Sequence, residues 1–96
     1  MTTIHKETVY KQKEGLVWRE VDDGLVIVAP NAGEVKALNQ LGGQIWLMLE
    51  GRQTVDDIHQ AIAAEYPDID PEQLEQDVNL FIQSLLERNL LIQQNA

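Results

Sequence analysis

Hydrophobic positions change their spacing once along this chain. Between Leu16 and Leu38 they come in short runs. Val17-Trp18-Arg19-Glu20-Val21 is β-branched and aromatic, Leu25-Val26-Ile27-Val28-Ala29 is continuously apolar, and Glu34-Val35-Lys36-Ala37-Leu38 alternates. Runs of this length between turn residues read as strands. Asp22-Asp23-Gly24 and Pro30-Asn31-Ala32-Gly33 supply the turns, the Asp-Gly step offering the positive φ of a tight hairpin. The run 25–29 has the pattern of a strand covered on both faces. Three strands on short turns predict an antiparallel meander. Glu34–Leu38 is its edge, because it leads directly into a helix.

From Leu38 the spacing turns helical. Leu38, Leu41, Ile45, Trp46, Met48 and Leu49 form one apolar stripe, with Asn39 as N-cap and Gly51 as the C′ glycine. Gly42-Gly43 weakens that helix by about 1 kcal/mol per glycine, which close packing against the sheet would justify. Thr54 caps a second helix, with Asp57 completing a carboxylate capping box and Val55, Ile58 and Ile62 as its stripe. Tyr66-Pro67 ends it, since a residue before proline avoids helical angles. Asp70-Pro71-Glu72 starts a third helix, whose apolar face is Leu74, Val78, Phe81, Ile82 and Leu85. Arg88-Asn89 closes it with a cation and an αL cap. Residues 1–15 form a polar lead-in, either a frayed end or an early strand, and Leu90-Leu91-Ile92 reads as a tail or a short strand.

The expected fold is one α+β domain over residues 16–92, followed by a tail at 93–96. A three-stranded antiparallel sheet precedes three helices in a winged helix-turn-helix-like arrangement. Its core is expected from Ile27, Leu41, Ile45, Trp46, Ile58, Ile62, Val78 and Leu85.

Composition narrows the chemistry. At 96 residues, 44% hydrophobic and 24% charged, the chain is an ordinary globular domain. Cysteine is absent, which removes disulfides, thiolate nucleophiles and cysteine-based zinc sites. His5 and His59 lack metal-ligand spacing, so no metal or cofactor is expected. No apolar run is long enough for a membrane span, and the start lacks a signal-peptide core, so a soluble cytoplasmic protein is expected. The net charge is −9, and residues 50–88 hold ten acids against Arg52 and Arg88. Such a surface repels phosphate.

No catalytic constellation emerges. Asp56 and Asp57 are neighbours in a first turn, where acids favour the helix dipole. Asp68 and Asp70 flank a helix start without calcium-loop spacing. The single serine, Ser84, has no nameable triad partners, and Gly42-Gly43 lacks the Lys-Ser/Thr of a phosphate loop. Trp46 is in phase with the core stripe. Trp18 has opposite parity to Val17 and Val21, and its face stays open. What survives is the edge strand, whose free N–H and C=O groups suit pairing with another chain, while Lys36 and Glu34 would guard it against aggregation. A helix-turn-helix core invites a DNA reading, but its recognition helix carries Glu72, Glu75, Asp77 and Glu87 against Arg88.

Two segments carry a resemblance. Leu38-Asn39-Gln40-Leu41-Gly42-Gly43-Gln44-Ile45-Trp46-Leu47-Met48-Leu49-Glu50-Gly51 with Thr54-Val55-Asp56-Asp57-Ile58, then Asp77-Val78-Asn79-Leu80-Phe81 through Leu90-Leu91, resembles the PqqD-like family. The resemblance covers about residues 16–92, and its specificity lies in the ordered combination after a three-stranded start. It implies a winged-helix-like recognition element for ribosomally made, post-translationally modified peptides. Such domains bind a precursor's leader and present it to a modifying enzyme without catalysis of their own. The quinone-pathway member typically has a cysteine-aspartate pair where this chain has Leu49-Glu50. Ile45-Trp46 looks more like the stand-alone recognition proteins, including those of lasso-peptide clusters.

The resemblance also implies a site, in which the leader adds as a strand beside the third strand in a cleft completed by the third helix. Carried over by position, the strand part is Glu34, Val35, Lys36, Ala37 and Leu38. The helix part is drawn from Leu74, Asp77, Val78, Phe81 and Leu85, some of which must also serve the core. The partners implied are the leader and a radical-SAM enzyme, cyclase or leader peptidase. A second copy could pair through the same edge. The rival readings are a DNA-binding winged helix and a structural interaction module without a peptide ligand.

Overall fold

A computed structural model of the chain describes residues 4–29 and 33–94. In chain order the elements are β1 (Val9–Gln12), β2 (Val17–Val21), β3 (Gly24–Ala29), β4 (Glu34–Leu38), α1 (Gln40–Met48), β5 (Glu50–Thr54), α2 (Val55–Glu65), α3 (Pro71–Glu87) and β6 (Leu91–Gln94). The α+β class holds, and so does the meander followed by three helices. The turn expected at Pro30–Gly33 falls mostly on residues 30–32, outside the described residues.

The meander is antiparallel in the order β2-β3-β4. Val17 opposes Val28 and Val28 opposes Val35, while Trp18, Ile27 and Lys36 form the next row. The β2–β3 turn differs from expectation in detail. Its positive φ belongs to Asp22, at +47°, and Gly24 is already the first residue of β3. Glycine is required there because a Cβ would collide with the carbonyl oxygen of Leu38 on β4.

A second three-stranded sheet was not foreseen. Its order is β5-β1-β6, both pairings antiparallel, with Val9 opposite Thr54 on one side and Gln94 on the other. The early strand and the short C-terminal strand, left open by the sequence, both exist here. β5 corrects the reading of Gly51: α1 stops at Met48, Leu49 N–H bonds to the Trp46 carbonyl, and Gly51 lies inside β5 with φ +85°. There a Cβ would stand 3.3 Å from the Lys11 Cβ on β1.

Helix ends follow the predicted chemistry. Asn39 accepts from the Gly42 N–H at 2.8 Å. Thr54 and Asp57 exchange reciprocal 3.0 Å bonds as a capping box. Asp70 caps α3 with Pro71 in its first turn. At the far end Asn89 takes φ +59°, its N–H bonds to Leu86 and that of Leu90 to Leu85, a Schellman ending.

The core joins one face of each sheet to the three helices. Ile27, Ile45, Trp46, Ile58, Ile62, Val78 and Leu85 are buried as expected, along with Tyr10, Leu74 and Leu91. Leu41 is only half-buried at the core margin. Gly43 lets α1 approach the sheet, since its Cβ would meet that of Leu25 at 3.4 Å. One expectation fails on β3. Leu25, Ile27 and Ala29 are buried, but Val26 and Val28 are only half-buried, because no layer covers the outer face of the meander among the described residues.

Candidate functional site

β4 is an outer strand of its sheet, and no described strand pairs with its open edge. Its register fixes two sets of side chains. Glu34, Lys36 and Leu38 share the inner face with Ala29, Ile27 and Leu25, whereas Val35 and Ala37 share the outer face with Val28 and Val26. Leu38 is buried in the core, Glu34 and Lys36 are half-buried, and Val35 and Ala37 are exposed.

Two contacts show how α3 runs beside this edge. At one end Arg88, the C-cap of α3, lies 3.5 Å from Glu34 at the start of β4. It is the one ion pair among the described residues. At the other end Asn39, just past β4, shares a depression of about 260 Å³ with Leu41, Gly42, Ile45, Asp77 and Phe81. The helix therefore passes β4 in the opposite direction, and the depression lies between α1 and α3 just past the C-terminal end of the strand. The sequence explains why α3 stands close to α1: a Cβ at Gly42 would be 3.1 Å from the Phe81 ring. The glycine seats the aromatic ring.

Of the five helix residues expected at the cleft, the structure brings two to it. Asp77 is exposed at the rim, with Gln73 donating to its carboxylate at 3.0 Å, and Phe81 is half-buried in the wall. Leu74, Val78 and Leu85 are wholly buried in the core and have no surface to offer a ligand. The other residues of the depression, which sequence reasoning missed, are the N-cap Asn39 and Leu41, Gly42 and Ile45 of α1. Spacing of three and four residues sets Leu80 and Ser84 beside Asp77 and Phe81. Leu80 is 64% exposed, an apolar residue out of phase with the core stripe.

The remaining candidates settle into structural surroundings. His59 shares a 3.2 Å hydrogen bond with the Pro71 carbonyl, and Asp56 accepts from Gln60. Trp46 is fully buried, while Trp18 is 38% exposed at the margin of the meander. Among the described residues no helix is long and apolar enough to cross a membrane.

A family model for coenzyme PQQ synthesis protein D (PqqD) matches residues 24–91. No curated protein matches the chain. Among solved structures, TbiB1 in complex with the TbiA(beta) leader peptide is 31% identical, with 84% of this chain and 93% of that one covered and a TM-score of 0.76. A lasso peptide synthetase B1 complexed with the leader peptide is 22% identical over 86% of this chain and 96% of that one, with a TM-score of 0.76. The third is the PqqD truncation of PqqCD from Methylobacterium extorquens, described as a functional and stand-alone recognition element for ribosomally synthesised, post-translationally modified peptides. It is 24% identical over 95% of this chain and 96% of that one, again at 0.76. Matched over most of its length by the family model and by a structure above 30% identity, this chain belongs to the PqqD family.

Proposed function

We propose that the chain is a non-catalytic adaptor that binds the leader of a ribosomally synthesised precursor peptide and presents it to a modifying enzyme in the cytoplasm. The observation that carries this reading is the unpaired edge of β4, which leads to the depression between α1 and α3 at its C-terminal end. An extended peptide laid along β4 satisfies its free backbone groups and alternates its side chains. One set enters the groove toward Leu41 and Phe81, and the other points outward beside Val35 and Ala37. Support comes from two similar structures whose descriptions name a bound leader peptide.

In this reading the strand Glu34, Val35, Lys36, Ala37 and Leu38 supplies backbone pairing, and Asp77, Leu80 and Phe81 supply the helix side. Leu74, Val78 and Leu85 act indirectly, by holding α3 in place. The exposed acids of α3 disfavour a nucleic-acid ligand, because Glu72, Glu75, Asp77 and Glu87 would meet phosphate.

The test is a fluorescence titration with the leader of the precursor encoded alongside this chain. Val35→Pro and Lys36→Pro remove amides of opposite parity, one facing β3 and one facing the open edge. The variant at the open edge should melt near wild type yet bind at least ~10-fold more weakly. Wild-type binding by both folded variants would overturn strand addition.

A further inference from the structure

The outer face of the meander breaks the usual rule that the uncovered side of an antiparallel sheet is polar. Val17, Val28 and Val35 form one row across it, and Arg19, Val26 and Ala37 form the next. Val17 is 59% exposed and Val35 67%. Val17, Arg19, Val21, Val26 and Val28, with Trp18 at the margin, line a depression of about 310 Å³. An apolar patch of this kind on a small domain marks an interaction surface. Arg19 carries the one charge in these two rows, in a chain whose net charge is −9.

We propose that this valine face is the docking surface for the enzyme that modifies the bound peptide, a partner with an apolar patch and a carboxylate placed to meet Arg19. The inference rests on the leader-binding reading. A peptide strand added beside β4 turns every second side chain onto this same face and extends the valine rows by one strand. The face is thus continuous with the peptide site, and it is completed only when the peptide is bound. An enzyme seated there touches protein and substrate together. A second copy fits less well: it would bring Arg19 toward Arg19 and one −9 chain toward another.

The test uses Val17→Lys and Arg19→Glu, two changes on β2, the strand farthest from the peptide edge. The probes are the leader peptide and the peptide-modifying enzyme encoded alongside this chain, followed by fluorescence anisotropy and sedimentation. The wild type with leader should bind the enzyme more tightly than the wild type alone. Each variant should hold the leader within about twofold of wild type while its leader complex binds the enzyme at least ~10-fold more weakly. Unchanged enzyme binding by both variants overturns the proposal. A wild-type dimer that Val17→Lys converts to monomer, with enzyme binding intact, overturns it in favour of self-association. A wild type that binds no leader brings down the adaptor reading and this inference with it, whereas leader binding with an indifferent valine face brings down this one alone.

Discussion

The two sheets are equally wide and oppositely built. β2, β3 and β4 follow one another between Val17 and Leu38, whereas β1, β5 and β6 come from Val9–Gln12, Glu50–Thr54 and Leu91–Gln94. In the assembled sheet the earliest strand sits in the middle, paired on both sides, and joins segments from three distant parts of the chain. In the meander the last strand leaves directly into α1 and keeps its outer edge open. One sheet ties distant segments together, and the other is the sheet that strand addition would extend.

The largest expected effect separates these roles. Leu91→Ala, which empties a buried position on β6, should cost ~2–5 kcal/mol in chemical denaturation. The fraction that stays folded should bind leader like wild type. Ile27→Ala, equally buried but on β3, should cost a similar ~2–5 kcal/mol and weaken leader binding too, because it supports β4 from behind. If both variants lose binding equally at matched folded fraction, the division between the sheets is wrong.

A smaller effect sharpens the groove. Gly42→Ala gains about 1 kcal/mol of helix propensity but pushes a methyl into the Phe81 ring, an overpacking cost of ~1–3 kcal/mol. Melting should shift little, while leader binding weakens as the ring moves. Smaller again is Arg88→Ala. The Glu34 pair is exposed, so its loss should change stability by ~1 kcal/mol or less in a thermal melt.

The smallest effect appears only in alkali. Burial raises the Tyr10 phenol above its ordinary value, so the folded state holds that proton more tightly than the unfolded chain. This contribution is fully present below about pH 10 and is lost as pH rises through the raised value. Tyr10→Phe should flatten the fall in stability above about pH 10 and leave leader binding at neutral pH unchanged.

These contrasts also explain what the sequence made legible. The meander is local, and its strands and Asp22-Asp23-Gly24 turn lie side by side in the chain. Helix ends are local as well, so Thr54 with Asp57, Asp70-Pro71 and Asn89 announced theirs. The second sheet is not local. Glu50-Gly51-Arg52-Gln53-Thr54 has no apolar alternation and becomes a strand only because β1 lies beside it. At the site, the open edge of β4 followed from chain direction. The split of α3 did not: periodicity marks Leu74, Val78 and Phe81 as one stripe, but only the position of α1 decides that Phe81 reaches the groove.

Amide hydrogen exchange with and without saturating leader peptide reads both edges of the meander in one sample. Strand addition at β4 predicts slowed exchange at its outward amides, with none at β2, the other open edge. Protection at β2, or bound peptide with no protection along Glu34–Leu38, would contradict it.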